Sequence, residues 1–137
     1  MISVRETSAP PKWIALIVIP GALLLAAGAI IALVNPAMLA SGEINGAVHV
    51  YAGYLVARNL AIALLLIVTL SIGARRPLGT LMVLTAIIQV LDAVMDGVEG
   101  RWSLIPVVLV FAVAFLFGAA RTTGYPFWKL AAWRDAE

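Results

Sequence analysis

The sequence predicts an all-α fold: an integral membrane four-helix bundle running up, down, up and down, with residues 1–137 forming a single membrane domain. Three observations lead there. The chain is 64% hydrophobic and only 12% charged, against about 25% charged residues in an average soluble domain. Its mean hydropathy is +1.07. Its apolar residues also gather into four runs near the ~20 residues a helix needs to cross a hydrocarbon core of about 30 Å.

The first span is residues 13–34, Trp13 to Val34, without a charge. It is preceded by Arg5 and Lys12. A basic flank also opens a signal peptide, but the apolar part of such a peptide is only about 7–15 residues long. This run is 22 residues long, so it reads as a retained span. Asn35-Pro36 ends it, because the residue before a proline is pushed out of the helical region. Gly42, Asn45 and Gly46 keep the next loop non-helical. The second span covers residues 47–72 and the third 78–98, with a turn between Gly73 and Pro77 that carries Arg75 and Arg76. Gly97 and Gly100 bracket the next turn, and the fourth span covers 104–120. Loops this short make sequential helices antiparallel neighbours.

Residues 121–137 read as an amphipathic tail. Tyr125, Phe127, Trp128, Lys129, Trp133 and Arg134 are the aromatic and basic types that settle among lipid headgroups. Trp13 belongs to the same belt, and Tyr51 and Trp102 mark the opposite boundary. Lys and Arg segregate. Arg5, Lys12, Arg75, Arg76, Arg121, Lys129 and Arg134 fall on one side, and Arg101 on the other. The positive-inside rule then places both termini in the cytoplasm of a cell membrane.

Against this apolar background, Arg58, Asp92 and Asp96 stand inside spans, where a charge costs about 2.5–3.5 kcal/mol on insertion scales. If the second and third spans form a hairpin about Arg75, residues whose numbers sum to about 150 share a depth. Arg58 then faces Asp92, Tyr54 faces Asp96, and Tyr51 faces Glu99. Tyr51, Tyr54 and Arg58 are spaced as one helical stripe, and so are Gln89, Asp92, Asp96 and Glu99. Asn59 sits beside Arg58, off the stripe. The polar cluster belongs to the outer half of the bundle.

The chemistry follows from charge. A guanidinium is always protonated and acts only as a donor. Two carboxylates beside one guanidinium are not both compensated, and the spare one is a usable general acid. Asp92, Asp96 and Arg58 are therefore the candidate catalytic residues. Tyr51, Tyr54, Asn59, Gln89 and Glu99 are candidates to position a substrate or water. The competing reading is a buried Arg–Asp pin that fixes helix register. A proton or ion path is a third, although the inner half has no polar ladder to continue it.

Cysteine is absent, which excludes disulfides and thiolate chemistry. His49 is the only histidine and reads as an interfacial residue. No metal, cofactor or nucleic-acid partner is expected. Gly53, Ala57 and Ala61 repeat at four, as do Ala22 and Ala26. Such small-residue faces let helices approach closely, here within the bundle or, less simply, between copies of the chain.

Arg58-Asn59-Leu60-Ala61, the turn Arg75-Arg76-Pro77-Leu78-Gly79, and Asp92 together resemble the small four-helix membrane proteins grouped as DoxX-like. The likeness spans about half the chain and implies the same fold. It also implies a place among families that include subunits of membrane oxidoreductase complexes. The Asp–Arg–Asp grouping with Tyr and Asn separately looks like the site of limonene-epoxide hydrolases, soluble enzymes of another fold, so that likeness is chemical and convergent.

Three functions are expected on these grounds. The first is a membrane enzyme doing acid–base chemistry on a lipophilic substrate that enters from the lipid: epoxide opening, isomerisation or cyclisation. The second is a non-catalytic membrane subunit or scaffold, with a homo-oligomer or a larger complex as partner. The third is a small transporter. The first span lacks the membrane-embedded glutamate of known small four-helix exporters.

Overall fold

The computed structural model describes residues 9–38 and 43–133. All regular structure in them is helical: α1 (Ala15–Val34), α2 (Gly46–Ser71), α3 (Arg75–Val98) and α4 (Ile105–Thr123). Short 3₁₀ turns lie at Lys12–Ile14, Pro36–Met38 and Leu130–Ala132. Each long helix is long and apolar enough to cross a membrane. Arg5, Gly42, Arg134 and the end of the tail lie outside the described residues.

The helices pack as two hairpins. α1 lies most extensively against α2, and α3 against α4; α2–α3 and α1–α4 contacts are lighter. Their outer faces are hydrocarbon. Leu16 is 77% and Val34 78% exposed, which is costly in water and natural in lipid, where the hydrophobic effect no longer drives such side chains inward.

The helix ends have local causes. Asn45 caps α2, its Oδ1 accepting from the Ala47 and Val48 amides at 3.0 and 3.2 Å. α2 ends at Gly73, whose φ of +70° suits glycine. There the Gly73 amide donates to Leu70 O at 3.2 Å and the Ala74 amide to Thr69 O at 3.0 Å. That pair of bonds is the Schellman motif. The chain re-enters a helix at once. Arg75 and Arg76 therefore belong to the first turn of α3 rather than to the expected loop, and Pro77 is tolerated there because first-turn amides have no helical partner. A cation at a helix N-terminus opposes the helix dipole. Arg75 turns away from it, and its Nε donates to Thr122 O at the close of α4, 3.0 Å off.

The bundle has two unlike halves. The half nearer the α2–α3 turn, called lower here, is filled by Ile14, Val18, Leu66, Leu78, Met82 and Phe115, all fully buried. A Cβ on Gly21 would collide with the Phe115 ring, and one on Gly118 with Met82 Cε. In the upper half the inward positions are small: Ala29, Ala32, Ala52 and Ala93 are buried there, and Gly28 adds no side chain at all.

The structure corrects two expectations. Gly53, Ala57 and Ala61 lie on the exposed face of α2, and nothing lies within 4 Å of a Cβ built on Gly53. This stripe does not pack inside the bundle, whereas Ala22 does. The tail is also less separate than a belt. α4 runs on to Thr123 before Gly124 ends it in a left-handed conformation. Phe127 packs against the core, and Trp133 Nε1 donates to Phe127 O at 2.6 Å.

Candidate functional site

Small inward residues leave a space in the upper half. It is a cavity of about 350 Å³ between all four helices, inside the ~300–1,000 Å³ range of small-molecule sites. Leu24, Leu25 and Ile31 of α1, Met95 of α3, and Leu104 and Val108 at α4 supply its apolar wall. Tyr51 and Asn59 of α2, Gln89, Asp92 and Asp96 of α3, and Arg101 supply its polar groups.

Arg58 meets Asp92 as the depth register predicts. Its Nη2 lies 3.0 Å from Asp92 Oδ2 and 3.3 Å from Oδ1, and its Nη1 lies 3.3 Å from Oδ1. Its Nε donates to Asn59 Oδ1 at 3.2 Å. The two side chains are 36% and 39% exposed, so this pair sits at the seam between α2 and α3, with Asp92 reaching the cavity from the side.

Asp96 is turned inward and nearly buried. Its partner is Arg101 Nη2, at 2.9 Å from Oδ1. Sequence reasoning uses Arg101 only to orient the chain and misses it as a site residue. The cause of the pairing is local. α3 closes with a second Schellman motif, at Gly100, φ +75°. The Gly100 amide donates to Gly97 O at 3.2 Å, and the Arg101 amide to Asp96 O at 2.7 Å. That fold-back sets residue 101 beside residue 96, the place where a hydrophobic contact usually accompanies the motif. Arg101 Nη1 also donates to Met38 O at 3.2 Å, tying the α3–α4 loop to the turn after α1.

The expected ratio of two carboxylates to one guanidinium is thereby corrected: the structure supplies one guanidinium for each. The α2 stripe is corrected as well. The cavity face runs Tyr51, Leu55, Asn59, spaced at four. Tyr54 lies about 120° round the helix from the middle of the buried face and is 74% exposed, so it does not face Asp96. Arg58 falls at the flank. On α3, Gln89 and Asp96 point inward, Asp92 sits at the α2 side, and Glu99 is exposed beyond the cavity lining.

The buried polar groups divide cleanly. Thr69, Thr85 and Thr122 donate to carbonyls three or four residues back in their own helices, a common way to satisfy a hydroxyl in an apolar helix. Asn59 and Asp96 are engaged by Arg58 and Arg101. Gln89 differs. It is 5% exposed, it lines the cavity, and its Oε1 has no hydrogen-bond partner among the described residues. His49 is exposed at the start of α2, and no group of three or more His, Asp or Glu side chains gathers among the described residues.

The chain matches no family model, no curated protein and no solved structure in comparisons with known proteins.

Proposed function

We propose that this is a small cell-membrane protein that takes a lipophilic molecule into its upper cavity and performs acid–base chemistry on it. The carrying observation is the convergence of Asp92, Asp96, Asn59 and Gln89 on one otherwise apolar cavity. An apolar pocket with a few convergent polar groups is the form binding and active sites take. In this reading both termini are cytoplasmic, as the Lys/Arg distribution supports, and the cavity lies in the outer half of the bilayer. Asp92 and Asp96 exchange protons with the substrate. Arg58 and Arg101 hold them in place and balance the charge that changes as they do so. Isomerisation and cyclisation need such an acid and base; epoxide opening needs in addition a water molecule, whose proton one carboxylate takes as it attacks carbon while the other gives a proton to the departing oxygen.

One observation favours a second reading. Each carboxylate already has its own guanidinium, which suits a pair of structural pins in a non-catalytic subunit or scaffold of the DoxX-like kind. Asp92→Asn and Asp96→Asn separate the two. Purified variants are incubated with a membrane-lipid extract; consumption of lipophiles is followed by mass spectrometry, and thermal unfolding is measured on the same samples. On the catalytic reading at least one variant stays folded and loses turnover by about a hundredfold or more. Loss of stability and turnover in parallel in both variants, or no consumption by the parent protein, selects the structural reading.

A further inference from the structure

We propose that the lower end of the α1–α4 seam binds one anionic phospholipid, its phosphate held by the Arg121 guanidinium and its acyl chains laid along the apolar seam above.

The site begins as a group of three side chains. The Trp13 and Phe117 ring centroids lie 5.8 Å apart, with the rings tilted by 41°. Arg121 follows Phe117 by four residues, on the same face of α4. Its Cζ lies 5.0 Å from the Phe117 ring centroid, within the ~6 Å reach of a cation–π contact. Both rings are open to the outside, Trp13 at 38% and Phe117 at 51% exposed. The group is therefore a surface of the bundle and no part of its core.

The position of the guanidinium matters most. A helical side chain leans toward the N-terminus of its helix, which for α4 is the upper end. Arg121 accordingly lies back over Phe117 instead of extending away from the bilayer, as a basic side chain near the end of a span ordinarily does. The ring steadies the charge but offers no oxygen to the five N–H donors of a guanidinium. Among the described residues the polar partner of Arg121 is the Phe117 ring alone. A phosphate supplies what is missing, because its oxygens accept two parallel N–H bonds from one guanidinium.

The surrounding charge selects the sign of the headgroup. The carboxylates of the described residues, Glu43, Asp92, Asp96 and Glu99, all belong to the upper half or the loops above it. The lower helix ends and the segments flanking them carry Arg5, Lys12, Arg75, Arg76, Arg121, Lys129 and Arg134. The sequence sets only Glu6, Asp135 and Glu137 against these, so cations stay in excess even if all three carboxylates pair there. Lys12, exposed and next to Trp13 in the chain, adds to that field. A zwitterionic headgroup brings its own cation into it, and an anionic one does not. Basic pockets between spans are where anionic headgroups settle.

The hydrocarbon part has a place as well. Leu16 follows Trp13 by three residues and Val113 precedes Phe117 by four, so they continue the same two faces upward. They are 77% and 66% exposed. The seam above the phosphate position is thus an apolar strip open to acyl chains.

The test uses the full chain in nanodiscs of equal phosphatidylglycerol and phosphatidylcholine, with the lipid retained on release counted by native mass spectrometry. The parent protein should retain phosphatidylglycerol preferentially. Arg121→Gln should cut that retention by about threefold to tenfold. Phe117→Leu removes only the ring and should cut it by about twofold to fivefold. Lys129→Gln removes an equal charge outside the group and should change retention by less than about twofold. Equal retention of the two lipids by the parent overturns the site and leaves the basic end to an acidic protein partner or to chain orientation alone. Equal loss in Lys129→Gln and Arg121→Gln overturns it too, because diffuse charge then suffices. If Arg121→Gln does not fold, the ranking on the parent and the comparison of Phe117→Leu with Lys129→Gln still decide.

Discussion

Asp96 and Arg101 stand 2.9 Å apart because the chain folds back at Gly100 and sets residue 101 over the last turn of α3. The same guanidinium reaches Met38 O. One side chain thus joins the end of α3, the α3–α4 loop and the turn after α1 across the top of the cavity. A double-mutant cycle between Asp96→Ala and Arg101→Ala should show coupling of about 1.5–3 kcal/mol, read from unfolding of the four proteins in detergent. Additive effects would mean that the pair carries no shared energy.

The Arg58–Asp92 pair should behave differently under the same treatment. Removing either partner of a fully buried pair costs about 3–5 kcal/mol. These side chains are more than a third exposed, so Asp92→Asn should cost less, about 1–3 kcal/mol, with the double variant Arg58→Met/Asp92→Met recovering part of the loss. Unfolding midpoints of the three proteins check this.

Gly100→Ala tests the fold-back directly. An L residue at a positive φ costs about 1–2 kcal/mol, and Gly73→Ala should lose a similar amount of stability. Only Gly100→Ala should also loosen Arg101 from Asp96. Its double-mutant coupling should therefore fall, while that in the Gly73→Ala background stays at the parent value.

The lower core should punish added volume where the exposed face of α2 does not. Gly21→Ala would press a methyl into the Phe115 ring and should destabilise by about 1–3 kcal/mol. Gly118→Ala collides with the flexible end of Met82 and otherwise makes ordinary contacts with Ile14 and Ile17, so its cost should be smaller. Gly53→Ala adds a methyl in open space and should be neutral or mildly stabilising, since alanine is the better helix former. Thermal unfolding of the three variants ranks them.

The proposed orientation is testable because the chain has no cysteine, so any single introduced thiol labels without background. Ser103→Cys, in the α3–α4 loop, should react with a membrane-impermeant maleimide on intact cells. Trp128→Cys, beyond α4, should react only after permeabilisation. The reverse pattern would place the cavity in the inner leaflet.

Much of the architecture is legible in the sequence, for identifiable reasons. The four spans show as long apolar runs, the first three closed by Pro36, Gly73 and Gly100, while the fourth runs three residues past its expected end at 120 before closing at Gly124. The contact between Arg58 and Asp92 follows from the tightness of one turn, because a short hairpin fixes depth. Rotation is the weak point. α2 is apolar nearly all round, so its periodicity carries little information about which side faces inward. The stripe through Tyr54 therefore falls about one residue away from the true cavity face through Leu55 and Asn59. The same ambiguity hides the outward turn of Gly53, Ala57 and Ala61. Arg101 is the more instructive miss. A carboxylate followed four residues later by glycine and then by arginine at a helix end is the pattern a Schellman fold-back turns into an ion pair. Reading Arg101 as a loop cation conceals it.

The one-to-one pairing of guanidinium and carboxylate has an electrical consequence. Carrying a single elementary charge through a potential of 100 mV is worth about 2.3 kcal/mol, which makes an isolated intramembrane arginine a voltage sensor in waiting. Here each positive group lies within about 3 Å of its negative partner, so each pair presents the membrane field with a short dipole and no net charge.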